Sequence, residues 1–510
     1  MEKEIISKVD YRTIIFIGII GVISFSLRMY FFPFEVPLVM DSLLYFWYAN
    51  DLSILGTFPN TYDLPNNMWP TIVSVFFTIS DSNNYLDYMN IQRSVASTFS
   101  ILTVIPMYYL SRRFFGKSIS ILATVFIAFA PRLIQNSFMG ITESLFVFLI
   151  TTILWLFLIS NKKFVILSFA IAALFSLVRY EGILIIIPMT IMYFIRFRKD
   201  SKIIKKYIFA LLIFTLVLLP MSVVKMETMG YDGIFSHVNA GIIVTTEQNF
   251  LNEDPDERKF FPDLAIVSII KNLTWAMVPT FIVFMPLGIF YLFKKRDYKK
   301  NSLILFIVVL VIPELYAFGR GIQDFRYMLD LFPIFTIISL LMIDRITRNL
   351  KWRNLILMII IISLILVSIS VLQYKDNSEY QHEVYNIAIE TNNVFDTINS
   401  HYPEEAFRRV TSIEQHGEFP LLFGEVAQTK FLPYDNSQNI EEFIGKNRVN
   451  GLKHLVIDDN PTRPEFIKNI LENEEKFSYL QKIYDSKEKN YEYDYRIFQI
   501  DYDEFDRITP

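Results

Sequence analysis

A few ionisable side chains sit where a strongly apolar chain can least afford them. Asp41 follows the apolar stretch VPLVM and precedes Tyr45. Arg93 opens a long apolar run, Arg132 and Glu143 bracket the turn PRLIQNSFMGITE, and Arg179 and Glu181 sit in RYEG. Asp324, Arg326 and Tyr327 open a late apolar run. A charge within or beside a membrane span costs on the order of several kcal/mol unless it is paired or used. Cations gathered on one face are suited to holding a lipid phosphate, and a carboxylate among them can take a proton. Other readings stay open residue by residue. Asp41 either caps an interfacial helix or works as a base. Arg179 and Glu181 are either a plain ion pair or part of a ligand site. Glu143 caps the helix after Thr142, orients an arginine or binds a divalent cation. Snorkelling suits Arg132 better than ligand binding, and an interface belt suits Tyr45, Phe46, Trp47 and Tyr48 better than a sugar platform.

The elements that must position these residues are membrane spans. Of 510 residues, 53% are apolar and only 20% charged, with 48 Phe, too little charge for a soluble chain of this length. Apolar runs near 13–32, 91–111, 118–134, 142–160, 164–178, 182–195, 207–225, 264–293, 301–318, 327–343 and 354–372 predict an all-α polytopic membrane bundle of about eleven transmembrane helices. The run 164–195 reads as two crossings, because both of its ends are basic. The first run is long enough to span and lacks a small-residue cleavage site, so it reads as a retained anchor. Span interiors look nearly free of charge, which disfavours a flippase or transporter of lipid-linked saccharides. A non-catalytic scaffold would leave the charged outer residues unexplained.

Charge sets the orientation. Residues 1–373 carry a net +8 and residues 374–510 a net −12. With the N-terminus cytoplasmic, the inner connections hold 23 of the first part's 33 basic residues, so the acidic tail and the long loops 33–90 and 226–263 face outward. The first of these loops suits interfacial helices. The expected division is a transmembrane domain over 1–373 and a small soluble α/β domain over 374–510. In the latter, helices are predicted at Asn386 to Ser400, NIEEFIGK and PEFIKNILENEEKFSYL, and strands at Arg409 to Ser412, LKHLVIDD and YDYRIFQID. Its histidines, His382, His401, His416 and His454, have no metal-ligand spacing and read as solvated. The absence of Cys excludes disulfides and thiolate chemistry.

The order of PLVMDSLLYFWYANDLSILGTFP, IQRSVAS, ITESLF, RYEG and RYMLDLFP resembles the C-type polytopic glycosyltransferases, in particular the prokaryotic form of the protein O-mannosyltransferase and aminoarabinose transferase group, family 39. The likeness spans about residues 10–345. It implies an integral plasma-membrane enzyme with a polyprenyl- or dolichyl-phosphate sugar donor, a lipid, glycan or protein acceptor, no nucleic acid, and inversion on the outer face. Met40–Asp41–Ser42 lacks the second acid of the eukaryotic members, and WWDYG is absent, so transfer of a whole oligosaccharide is not expected.

An inverting displacement needs a base for the acceptor hydroxyl and charge stabilisation for the departing phosphate. Asp41 is expected to be that base, behind VPLVM at the bundle mouth, while Asp51 and Asp63 lie farther out as solvated acids. Arg93, Arg179 and Arg326 are expected to hold the phosphate, supported by Glu143, Glu181, Tyr45 and Tyr327. No cofactor is required on this reading and no metal is assigned, with Glu143 the one place for a divalent cation.

Overall fold

The computed structural model describes residues 11–38, 41–60, 64, 67–82, 84–239, 261–294, 296–322 and 324–374, and, toward the C-terminus, 382–383, 385–387, 390, 399–401, 430–431, 439–449, 451–458 and 464–509. Much of the second outer loop, Asp63, His416 and the strand expected at Arg409 to Ser412 lie outside the described residues. The chain divides into two compact units. One comprises Met1–Phe32, Tyr48–Asp81 and Asn90–Lys375, and the other Pro33–Trp47, Ser82–Met89 and Asp376–Pro510. The second unit thus joins two pieces of the first loop to the C-terminal part.

The first unit is helical, as a lipid-embedded backbone must be to satisfy its own hydrogen bonds. Its helices are α1 (Tyr11–Tyr30), the later part of α2 (Asp41–Leu55), α3 (Met68–Thr78), most of α4 (Tyr85–Leu102), α5 (Val104–Ser111), α6 (Lys117–Ala128), α7 (Pro131–Phe138), α8 (Glu143–Phe157) and α9 (Lys162–Val178). There follow a 3-10 turn (Tyr180–Ile185), α10 (Ile186–Phe197), α11 (Ile203–Met229), α12 (Pro262–Met277), α13 (Met285–Phe293), α14 (Tyr298–Gly319), a second 3-10 turn (Phe325–Leu331), α15 (Phe332–Thr347) and α16 (Arg353–Tyr374). All the apolar runs become helical. Among the described residues, however, 7 helices are long and apolar enough to cross a membrane, or 8 if the bent pair α6–α7 is one span. The expectation of about eleven crossings exceeds this because α8 and α9 have only 15 and 17 residues, and because 264–293 breaks between α12 and α13.

The RYEG stretch separates two antiparallel passes: Lys162, at the start of α9, pairs with Asp200, just beyond α10. The hydrogen bonds of Lys162 and Lys206 hold the Asp200 carboxyl well below the usual range. Basic connections meet at this end. Arg113 donates to the Leu158 carbonyl at 3.2 Å, Lys299 to that of Arg113 at 2.7 Å, and Arg196 to those of Phe157 and Ile159 at 2.6 and 2.8 Å. These arginines cap the electronegative end of α8. Gly288 lets α13 lie directly on α15, since a Cβ there would come within 2.2 Å of the Ile338 carbonyl oxygen.

The spans are less free of charge than their hydropathy suggests. Arg28 of α1, fully buried, donates to the Ala128 carbonyl at 3.1 Å and to Ser100 Oγ at 2.8 Å, so a cation sits at the C-terminal end of α6, where the chain bends by 43° into α7. Lys225 of α11 is buried and donates to the Leu64 carbonyl of the first loop. Glu314 of α14 is buried as well.

The second unit contains a mixed sheet in the order β2-β1-β3-β5-β4, from strands Asn399–His401 (β1), Lys430–Phe431 (β2), His454–Asp458 (β3), Leu480–Asp485 (β4) and Tyr495–Ile500 (β5). β1 runs parallel to β2 and β3, while β5 runs antiparallel to β3 and β4. Helices Ile440–Arg448 (α17), Glu465–Glu472 (α18) and Tyr502–Ile508 (α19) help enclose a core that includes Phe443, Leu455, Ile457, Ile467 and Phe498. The expected α/β class holds in outline. The helix predicted over PEFIKNILENEEKFSYL stops at Glu472, because the apolar residues from Tyr479 onward enter the β hairpin, and Ser400, expected at a helix end, lies in β1. His454, expected in solvent, is buried in β3.

Candidate active site

The charged cleft of the first unit is built where four segments meet. Arg179 terminates α9 in an extended conformation, and the chain turns at once into the Tyr180–Ile185 3-10 turn. Gly182 permits the reversal, because a Cβ would lie 2.9 Å from the Phe175 carbonyl oxygen and 2.8 Å from its ring. Glu143 opens α8, and the rings of Phe146 and Phe175, 3.8 Å apart and 6° from parallel, lock α8 to α9 beneath the charges. Asp324 caps the second 3-10 turn, accepting from the Arg326 amide at 2.9 Å, and its other oxygen lies 2.7 Å from Arg326 Nε. Pro313 and Glu314 of α14 supply the remaining wall.

Arg179 is the hub. Its Nη1 donates to Glu143 Oε1 at 2.8 Å and its Nε to Glu181 Oε1 at 2.6 Å. Its guanidinium lies 4.7 Å from the centroid of the Tyr327 ring, which Arg326 also approaches at 5.8 Å. The other oxygen of Glu143 accepts from Thr142 Oγ1 at 3.2 Å. The pairing of Glu143 with Arg179 is the contact that the arginine-orienting reading of Glu143 requires. Arg179, Arg326, Glu143, Glu181 and Tyr327 therefore come together around one cleft, together with two acids that the sequence reading missed, Glu314 and Asp330. Both are buried, and their carboxyl groups are adjacent enough to interact with each other. Their signal was present as acids in apolar runs, at VIPELY and YMLDLF. The cleft's free interior of about 20 Å³ has room for one water-sized group.

The other expected residues lie elsewhere. Arg93 does not line this cleft: its buried Nε donates to the Phe138 carbonyl at the end of α7 at 2.9 Å, and its Nη1 to Asn90 at 3.2 Å. A helix-end carbonyl occupies a donor that was expected to meet a phosphate. Asp41, expected behind VPLVM at the bundle mouth, opens α2 in the second unit and is exposed. Asp51, expected in solvent, is buried in the first unit, since ten residues along one helix the chain has turned its acid inward. Tyr45, Phe46, Trp47 and Tyr48 are all buried rather than forming an interface belt. Arg132 does not snorkel: it is buried, 4.8 and 4.9 Å from the ring centroids of Trp275 and Phe325.

The first loop is fastened beside the cleft's helices. The Gly140 carbonyl, in the turn between α7 and α8, accepts from Trp69 Nε1 at 3.0 Å and from Gln92 Nε2 at 2.8 Å. Among the described residues, no group of three or more His, Asp or Glu is placed to hold a metal ion. Glu143 and Glu181 instead share Arg179, and no step below is routed through a metal.

Residues 87–226, a segment that contains Arg93, Arg132, Glu143, Arg179 and Glu181, match the family model described as dolichyl-phosphate-mannose-protein mannosyltransferase. The chain superposes on the Archaeoglobus fulgidus oligosaccharyltransferase, solved in complex with Zn and sulfate, with a TM-score of 0.55 at 13% identity, covering 87% of this chain and 68% of that one. It superposes on ArnT from Cupriavidus metallidurans, solved bound to undecaprenyl phosphate, with a TM-score of 0.53 at 8% identity, over 94% and 97% of the two chains. The fold is that of the C-type membrane glycosyltransferases. No curated protein matches the chain significantly. Long apolar helices and this fold make the chain an integral membrane protein.

Proposed function

We propose that this chain transfers a single sugar from a polyprenyl- or dolichyl-phosphate donor to an acceptor hydroxyl on the extracytoplasmic face. One observation carries the reading: the segment that matches the mannosyltransferase model supplies Glu143, Arg179 and Glu181 to a cleft that is closed by the late arginine turn at Arg326. In the reaction the acceptor oxygen attacks the anomeric carbon, the bond from that carbon to the phosphate oxygen breaks, and the lipid phosphate departs with the electron pair. The acceptor proton goes to a carboxylate, for which we assign Asp41 on the family resemblance. A phosphate is already a good leaving group, so fixed cations suffice to stabilise it. Arg179, matched by two carboxylates, orients Glu143 and Glu181, and Arg326, held by Asp324, is on the turn that closes the cleft. Arg93 is reassigned to clamping the end of α7. The positive-inside distribution supports a cytoplasmic N-terminus with the cleft and the acidic tail outside.

The test is incubation of the purified protein with a panel of polyprenyl-phosphate sugars, followed by assay of released polyprenyl phosphate. Release with at least one sugar is expected. No release across mannose, glucose, galactose and amino-sugar donors, with acceptor peptides and glycans supplied, rejects the reading.

A further inference from the structure

The cleft lacks a cation to spare. Four acids, Glu143, Glu181, Glu314 and Asp330, face two arginines in its lining, and both arginines are already against carboxylates. A phosphate brought there would have to compete with those carboxylates for the same guanidinium donors. Arg132, near the cleft, is not spent in this way. It is only 4% exposed, no carboxylate pairs with it among the described residues, and its Nε is buried without a hydrogen-bond partner. Its contacts are with the rings of Trp275 and Phe325. Ring contacts favour the charge but accept no strong hydrogen bond, so the planar N–H donors stay available to an anion. Arg132 is also the second residue of α7, at the helix end where a cation is disfavoured and an anion is welcome.

Trp275 points to where the anion comes from. It is 48% exposed on α12, its ring centroid 4.8 Å from the guanidinium, and exposed Trp on membrane helices is enriched at headgroup level. Phe325 directly precedes Arg326, so the same short turn touches Arg132 with one residue and lines the cleft with the next.

We propose that Arg132, held against Trp275 and Phe325, binds the phosphate of a polyprenyl-phosphate lipid that enters between α7 and α12. The proposal rests on the lipid-phosphate reading above and gives that phosphate a site beside the acidic cleft instead of inside it.

The experiment measures binding of decaprenyl phosphate, decaprenol and inorganic phosphate to the full chain in nanodiscs of neutral lipid, for wild type, Arg132→Gln, Arg132→Lys and Trp275→Leu. Wild type is expected to bind decaprenyl phosphate well above both other compounds. Arg132→Gln should bind it about 10- to 100-fold more weakly, as for loss of one charged hydrogen-bonding partner. Arg132→Lys should recover part of this, and Trp275→Leu should weaken binding a few-fold. Wild-type affinity for decaprenyl phosphate in Arg132→Gln overturns this site and leaves the enzyme reading standing. Equal wild-type affinity for inorganic phosphate overturns the lipid as the source of the anion. If wild type binds none of the three, the enzyme reading falls and this site with it. Should Arg132→Gln not fold, Trp275→Leu, altered at an exposed position, decides the matter: unchanged binding there overturns the clamp.

Discussion

Replacing Arg179 by Gln removes the one charge that holds Glu143 and Glu181 together, and the cost can be worked from the contacts. The Arg179 side chain is 11% exposed, that of Glu143 5% and that of Glu181 16%, so all three are near the buried end of the scale. Two charge-assisted hydrogen bonds are lost, each worth roughly 1.5–3 kcal/mol, together with ring contacts to Tyr327 and Phe146 worth about 0.5–2 kcal/mol. Gln restores part of the packing and one weak donor. The carboxylates, left beside Glu314 and Asp330 without their cation, bring the expected loss to about 3–5 kcal/mol, the range for breaking a buried pair from one side. The assay is reversible unfolding of the purified protein in detergent, followed by a cycle with Glu143→Gln. The double variant should regain a substantial part of the loss, because the most enclosed of the stranded charges is then gone. A stability for Arg179→Gln within 1 kcal/mol of wild type, or a double variant as poor as the sum of the two singles, would refute the account of Arg179 as hub.

Other predictions follow from the same geometry. Asp41→Asn is expected to lower sugar transfer by about 10² to 10⁴ with donor binding retained, and near-wild-type transfer in that variant alongside a dead Asp51→Asn would move the base to the buried acid of the same helix. Glu314→Met, which replaces one of two adjacent buried acids with an apolar chain of similar length, should raise thermal stability by about 1–3 kcal/mol whatever it does to activity; a lower melting temperature would show that Glu314 has a structural partner in the folded state. In the second unit, burial opposes the charges of Asp485 and Glu390, yet hydrogen bonds from Lys482 to the one, and from Tyr491 and Tyr484 to the other, bring both carboxyls below their ordinary values. A depressed carboxyl gives stability that is fully present above its unfolded value, near pH 4, and is lost as the pH falls through the folded one. Protection of the amides around β4 and β5 in the full chain, taken relative to the intrinsic exchange rate at each pH, should therefore fall on acidification below about pH 4, and protection unchanged down to pH 2 would contradict it.

The helical bundle was legible without any structure, because lipid leaves an apolar run of span length little choice but to close its hydrogen bonds within itself. Every run marked by hydropathy is helical, and the RYEG turn was read as a reversal from its basic flanks alone. The break between α12 and α13 was not legible, since hydropathy does not register it. The acids and arginines of RYEG, ITESLF and RYMLDLFP could be singled out one by one, because charge beside an apolar run is costly wherever the run lies. Their partners could not be. Glu143 and Arg179 are 36 residues apart, and only the packing of α8 on α9, fixed by the Phe146–Phe175 stack, decides that one orients the other. The same holds for burial. Asp41 and Asp51 share one helix and one residue type, and which of them turns inward depends on what α2 packs against. Arg132 looked like a lone snorkelling cation until Trp275 and Phe325, from segments more than 140 residues away, came to lie against it. A single side chain's chemistry is local to its type, whereas its role is set by neighbours that the fold alone brings within a few ångströms.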